Sequence, residues 1–226
     1  MKREIQDERP LVEAFSLKHL YSEREVLRLN HWALRPGERH LLLGPSGSGK
    51  TTLISILTGL LQPTSGQVNI AGKTLASLSP KAVDALRAKT FGLVFQDHHL
   101  VSSLSLEDNL LLALRFSGQE KDEQWAHQLL ALLGLEHLRH CKPSILSRCE
   151  AQRAAIARAA ICKPPILIAD EPTAALDDAN TDRVITLFTN LANEWGAALL
   201  VASHDSRLSH HFDTRISLTP STGVAA

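Results

Sequence analysis

From Val26 to Leu34 apolar and polar residues alternate with period 2, Leu27 and Leu29 against Arg28 and Asn30, as in a strand with one face buried. Val12 to Leu20 before it reads as an edge strand, joined to it by a turn at Tyr21-Ser22-Glu23-Arg24. Arg35-Pro36-Gly37-Glu38 then turns the chain into a short apolar strand, His40 to Leu43. The period next changes to that of a helix, with apolar residues at 53, 54, 56 and 57 and a closing Gly59. Pro63-Thr64-Ser65-Gly66 predicts a turn, Gln67 to Ile70 a strand, and Gly72 a second turn. Ser79-Pro80 starts a helix with serine as N-cap and proline in the first helical position, and an apolar strand, Phe91 to Phe95, ends at Gln96.

From Asp97 to about Ala160 the pattern is helical. Ser105-Leu106-Glu107-Asp108 is a capping-box-like start for a helix carrying Leu110, Leu111 and Leu114. A second helix holds Trp125, Leu129, Leu132 and Leu133 and stops at Gly134, and a third runs from near Ser147 through Arg153 and Ile156 toward Ile161. The last third returns to βαβ alternation. Pro165 to Ala169 and Ala197 to Ala202 are all-apolar runs of the kind buried on both faces of a parallel sheet, separated by an amphipathic helix with Val184, Leu187, Phe188 and Leu191. The expected fold is one α/β domain over residues 1–226, its core at about 11–96 and 161–226 and a helical subdomain at about 97–160. An N-terminal antiparallel β subdomain joins a mostly parallel sheet, after about ten polar, loose residues.

Composition narrows the function. Lysine plus arginine number 24, as do aspartate plus glutamate, so no basic balance argues for a nucleic-acid partner. Cys141, Cys149 and Cys162 lack metal-ligand spacing and are too few for a disulfide framework, which suggests a reducing cytosol. No apolar stretch follows the charged Met1-Lys2-Arg3-Glu4, so no signal peptide is expected. No apolar run approaches the ~20 residues that cross a bilayer, so at a membrane another chain would supply the spanning part.

Two stretches carry chemistry. Gly44-Pro45-Ser46-Gly47-Ser48-Gly49-Lys50-Thr51, between a strand and a helix opened by Thr52, fits the P-loop pattern G-x-x-x-x-G-K-[ST] without mismatch. Its glycines let backbone N–H groups and a helix N-terminus point at a polyphosphate. Lys50 would reach the β- and γ-phosphates, and Thr51 would hold Mg²⁺. The second stretch, Ile166-Leu167-Ile168-Ala169-Asp170-Glu171, puts two carboxylates at the tip of a buried strand. Asp170 suits Mg²⁺, and Glu171 suits polarising the water that attacks the γ-phosphate.

With these motifs in this order, the chain resembles the ATP-binding-cassette (ABC) ATPases, which are P-loop NTPases, over nearly its whole length. Tyr21 stands where the family has an aromatic that stacks on adenine, and Gln96 where it has a glutamine sensing Mg²⁺ and the membrane partner. Leu146-Ser147 with Gln152-Arg153 resembles the edges of the signature motif, Ala174-Ala175-Leu176-Asp177 the D-loop, and His204 the switch histidine at the γ-phosphate. The resemblance implies ATP and Mg²⁺ as cofactors, with Thr51, Gln96 and Asp170 at the metal and Glu171, His204 and Gln96 in hydrolysis. It implies nucleotide contacts from Tyr21, from Gly44 through Thr52, and from Ser147, Cys149, Glu150 and Asp177. The implied partners are a second cassette, as homo- or heterodimer, and an integral membrane permease, with the chain peripheral on the cytoplasmic face of the inner membrane.

Leu75 to Ser79, Phe91 to Gln96 with His99-Leu100, and Glu107-Asp108-Asn109 are similar to the ATPases of lipoprotein-release, macrolide-efflux and cell-division-type exporters, mechanical drivers of a permease with a large outer domain. One motif departs from the family. The signature Leu-Ser-Gly-Gly-Gln is replaced by Leu146-Ser147-Arg148-Cys149-Glu150, which puts Arg148 and Cys149 side chains where the family has none. Slow or asymmetric hydrolysis is one expected consequence; the alternative is that the small Cys149 is tolerated and Arg148 points to solvent, leaving an ordinary rate. The alternatives to a transporter subunit are a soluble, non-transport ABC ATPase and a P-loop small-molecule kinase.

Overall fold

The computed structural model describes residues 9–174 and 178–219, the side chains of 178 and 179 excepted. The loose N-terminus expected before residue 9 and the D-loop residues Ala175, Leu176 and Asp177 lie outside the described residues.

The chain opens with β1 (Val12–Tyr21) and β2 (Arg24–Leu34), continues through β3 (Arg39–Leu43) and α1 (Lys50–Leu57), and adds β4 (Ser65–Ile70) and β5 (Lys73–Thr74). β1, β2, β4 and β5 form an antiparallel sheet in the order β2-β1-β4-β5. β1 is therefore an interior strand, not the edge strand its sequence suggested. Its pairing slips between His19 and Leu20 against β2 and between Phe15 and Lys18 against β4, and Ser16 adopts φ 47°. These irregularities break the alternation that marks an interior strand in sequence. The turn after β1 is only Ser22-Glu23, and α1 begins at Lys50, inside the glycine loop.

Next come α2 (Pro80–Thr90), capped by Ser79, and β6 (Phe91–Val94), which stops two residues short of Gln96. The chain continues through α3 (Leu106–Ser117), α4 (Glu123–Leu132), α5 (Arg148–Ala160), β7 (Ile166–Asp170), α6 (Asp178–Trp195), β8 (Ala198–Ser203) and β9 (Thr214–Ser217). The second sheet has five parallel strands in the order β6-β7-β8-β3-β9. β9, unanticipated, is a mostly exposed edge whose Thr-Arg-Ile-Ser run lacks the apolar character of its neighbours.

The pleat of the parallel sheet divides the core in two. Leu42, Ile166, Ile168, Ala198, Leu200 and Ala202 pack toward α1 and the antiparallel sheet. Leu41, Leu167, Ala169, Leu199 and Val201 pack toward α5, α6 and the α3–α4 pair. Covering both faces explains why β7 and β8 read as continuous apolar runs. Leu132, expected on the packed face of α4, is 56% exposed, because Ala126, Leu129 and Leu130 define the stripe that packs.

The segment between β6 and α3 is tied to both neighbours. Asn109, 1% exposed, accepts from Val101 N and donates to Val101 O, Leu104 O and Ser105 O. His98 Nε2 donates to Gln152 Oε1 at 2.8 Å, and Arg158 donates to His99 O, so the segment after Gln96 is fastened to α5.

Candidate functional site

β3, β7 and β8 lie side by side and run the same way, so the segments leaving their C-terminal ends must meet. After β3 comes the glycine loop, after β7 Glu171, and after β8 His204. The loop needs its glycines for space. At Gly49, φ 93°, a Cβ would lie 2.5 Å from Val26 O. A Cβ at Gly44 would lie 2.3 Å from Ser48 Oγ and 2.6 Å from Leu218 O. A side chain at either position would push the loop off the surface it packs on.

Lys50, in the first turn of α1 and 6% exposed, curls back over the loop. Its Nζ donates to Gly44 O at 2.7 Å and Pro45 O at 3.1 Å and pairs with Glu171 Oε1 at 3.1 Å. Ser48 Oγ is buried without a hydrogen-bond partner. Thr51 Oγ1 donates to Asp170 Oδ2 at 2.5 Å, while Asp170 Oδ1 is buried with no partner. Burial pushes the Asp170 carboxyl above the ordinary carboxylate range; the Thr51 hydrogen bond opposes this, the Glu171 charge adds to it, and Lys50 opposes it. An orphaned carboxylate oxygen beside a hydroxyl suits a hard divalent cation, so these residues fit Mg²⁺.

A raised folded-state pKa means that ionised Asp170 costs stability, a cost that grows as pH rises from the ordinary value of 3.8 through the folded one. Asp170→Asn should therefore melt no lower than the parent at neutral pH without nucleotide, yet lose the thermal stabilisation given by Mg²⁺ with ATP. Differential scanning fluorimetry with and without Mg²⁺ and ATP checks both halves.

Glu171 has φ 50°, left-handed backbone that costs a residue with a side chain about 1–3 kcal/mol. Its N–H bonds Ala202 O at 2.8 Å, which turns the side chain into the site. One carboxylate oxygen holds Lys50. The other accepts from His204 Nδ1 at 2.9 Å and from Ser203 Oγ at 3.5 Å. The carboxylate, 11% exposed, is fixed between an ammonium and an imidazole, as a positioned base requires.

A cleft of about 350 Å³ above the loop brings together Tyr21, Ser46, Gly47, Gly49, Lys50, Thr51, Thr52, Gln96 and Glu171. Gly44 and Pro45 join it through Lys50, Asp170 through Thr51, and His204 through Glu171. Val26, whose carbonyl seats Gly49, and Ser203, whose carbonyl accepts from Gly44 N at 3.3 Å, were missed in sequence. Ser203 precedes His204, so its strand-end position was the available signal.

Ser147, Cys149 and Glu150 do not line this cleft; they form the N-terminus of α5. Ser147 caps the helix by accepting from Glu150 N, and Glu150 Oε2 accepts from Ser147 N at 2.8 Å and Ser147 Oγ at 2.6 Å, a closed capping box. Those Ser147 hydrogen bonds hold the Glu150 carboxyl below its ordinary range. Arg148 reaches Ala174 O at 3.5 Å.

Comparison with known proteins agrees with this geometry. The ABC transporter family model matches residues 27–174. The lipoprotein-releasing system ATP-binding protein LolD of Chromohalobacter salexigens is 39% identical over 182 residues, covering 80% of this chain and 77% of that protein. LolD of Novosphingobium aromaticivorans is 38% identical over 215 residues, covering 92% and 96%. The dimeric post-hydrolysis structure of the cassette MJ0796 bound to ADP and Pi superposes with a TM-score of 0.85 at 30% identity, covering 93% of this chain and 96% of that one. The match over most of the chain, on a fold that brings the phosphate loop to two strand-end carboxylates, means that the chain belongs to the ABC transporter family as an ATP-binding ATPase subunit.

Proposed function

We propose that the chain works as one of two cassettes that close on ATP, hydrolyse it, and drive a membrane permease from the cytoplasmic face of the inner membrane. The system it serves is of the lipoprotein-releasing type, as in the LolD relatives. The observation that supports this reading best is the pair of contact sets at the cleft, Thr51 with Asp170 and Lys50 through Glu171 to His204, which lie side by side because residues 50–51 and 170–171 are adjacent in the chain. In this reading Lys50 binds the β- and γ-phosphates, Tyr21 stacks on the base, and Glu171 accepts a proton from the attacking water. His204 holds the Glu171 carboxylate in place. Thr51, Asp170 and Gln96 would hold Mg²⁺, which neutralises charge on the phosphate oxygens.

The permease docks beside Gln96. A cleft of about 520 Å³ there is lined by Arg87, Phe91, Phe95, Val101, Phe116 and Arg158 among others, and Phe116 is 74% exposed. An apolar hollow rimmed by Arg158 and the Arg87–Asp84 ion pair fits a short amphipathic segment of a membrane protein. Affinity purification from detergent-solubilised membranes should recover one integral membrane partner with the parent chain. Phe116→Asp should lose that partner and keep basal hydrolysis. Recovery of ribosomes or DNA instead would favour the non-transport alternative.

The signature segment acts across the dimer on the partner's ATP. There the family uses a serine hydroxyl and glycine amides, whereas here the Ser147 hydroxyl is donated to Glu150 and a carboxylate stands at the helix N-terminus. An anion at that end offsets the helix dipole that would attract phosphate. Arg148→Gly, Cys149→Gly and Glu150→Gln combined should raise kcat of the homodimer about tenfold or more, since one donor to a developing charge is worth about a hundredfold. An unchanged steady-state rate would show that the altered segment costs nothing. A rise confined to mixtures with a second cassette would show a heterodimer.

A further inference from the structure

We propose that Asp182, His210 and His211 form a binding site for a divalent transition metal of the zinc or cobalt class, separate from the nucleotide cleft. Each residue offers one ligand atom, and the three atoms lie within 4.8 Å of one another, the only such cluster among the described residues. Two imidazoles and one carboxylate are the donor set of a transition metal with open positions, and a poor one for Mg²⁺, which prefers oxygen throughout.

Two further observations point to a ligand. His211 Nε2 is buried without a hydrogen-bond partner; it lies 3.5 Å from Asp182 Oδ1 but not in hydrogen-bonding geometry. A buried ring nitrogen left this way is costly, and coordination would satisfy it. His210 Nδ1 donates to Arg207 O at 2.7 Å. A carbonyl on one nitrogen fixes the tautomer and leaves Nε2 with its lone pair available, the usual arrangement behind a ligating histidine. The two rings lie 4.0 Å apart between centroids, so both imidazoles face one small region.

Ligand atoms around a tetrahedral ion at about 2.0 Å are roughly 3.3 Å apart, so the cluster must tighten slightly to close. His210 and Asp182 are both exposed and can rotate inward, while the half-buried His211 stays as the fixed point. Asp182 stands near the start of α6, and the histidines end the helical turn Ser206–His211, which Asp205 caps directly after His204. A bound ion would therefore fasten α6 to the segment just beyond the histidine on Glu171.

The test uses the full chain, stripped with chelator and free of nucleotide and Mg²⁺. It is titrated with Zn²⁺ against a chromophoric indicator and with Co²⁺ followed by visible absorption. The expected result is one stoichiometric equivalent, weakened at least tenfold in His210→Ala and in Asp182→Asn, because losing even an outer-shell partner of a ligand costs about 10–100-fold. Both substitutions are at exposed positions, and unchanged circular dichroism melts confirm the fold. His211→Gln provides a second route to the same loss. Cys149→Ser should bind like the parent. The absence of a stoichiometric equivalent, or an equivalent that survives in His210→Ala and Asp182→Asn, overturns the site.

Discussion

Lys50→Ala should lower ATP affinity at least a hundredfold. The ammonium is a buried donor that would make charge-assisted hydrogen bonds to phosphate, each worth about 1.5–3 kcal/mol, so losing two costs roughly 3–6 kcal/mol. The parent geometry shows how the group is held ready. Its present acceptors are Gly44 O and Pro45 O, neutral carbonyls that a polyphosphate outcompetes, and Glu171 Oε1. The same substitution leaves Glu171, 11% exposed, without its ammonium partner. Lys50→Arg should not rescue binding, because the broad guanidinium does not fit where one nitrogen reaches two loop carbonyls at 2.7 and 3.1 Å. A fluorescent-nucleotide titration reads both variants, with a nucleotide-free melt to confirm folding. Parent-like affinity in Lys50→Ala would remove the loop from the binding site.

Much of this site is local in the chain, which is why it could be read before the fold was known. Gly44 through Thr51 form a strand–loop–helix junction within a few residues, and Asp170-Glu171 end a run whose apolar character comes from burial on both faces. The β elements were less legible where local irregularity or polarity hid them. The slips in β1 disguised an interior strand, and β9 is a polar edge that only pairing with β3 defines. Contacts between distant residues were not derivable from spacing. The Glu171–His204 hydrogen bond joins residues 33 apart and was not anticipated, since the family resemblance placed His204 at the γ-phosphate rather than on Glu171. Ser147 and Glu150 are a different case. Their Ser-x-x-Glu spacing is a capping-box pattern, but the departure from the family signature drew attention to Arg148 and Cys149 instead. The structure shifts the weight to Glu150, whose carboxylate takes the hydroxyl that the signature would offer.

Glu171→Gln should stop turnover while keeping ATP bound. A carboxamide has no basic oxygen, and loss of a positioned general base lowers a rate by about 10²–10⁴. Binding should survive or tighten, since the substitution removes the anion that pairs with Lys50 at 3.1 Å and leaves the ammonium to the phosphates. The variant should therefore accumulate as an ATP-bound dimer, visible by size-exclusion chromatography with light scattering. His204 decides how this result is read. In the parent it donates to Glu171 Oε2 at 2.9 Å, and in the proposed reading it positions the carboxylate. His204→Ala alone should be slow, and adding it to Glu171→Gln should slow the enzyme no further, because two residues acting as a unit are not additive. If Glu171→Gln hydrolyses ATP at the parent rate, the base is another group and His204 is the nearest candidate. If the two substitutions multiply instead, His204 acts on the phosphate independently of Glu171, and the pairing between them is structural alone.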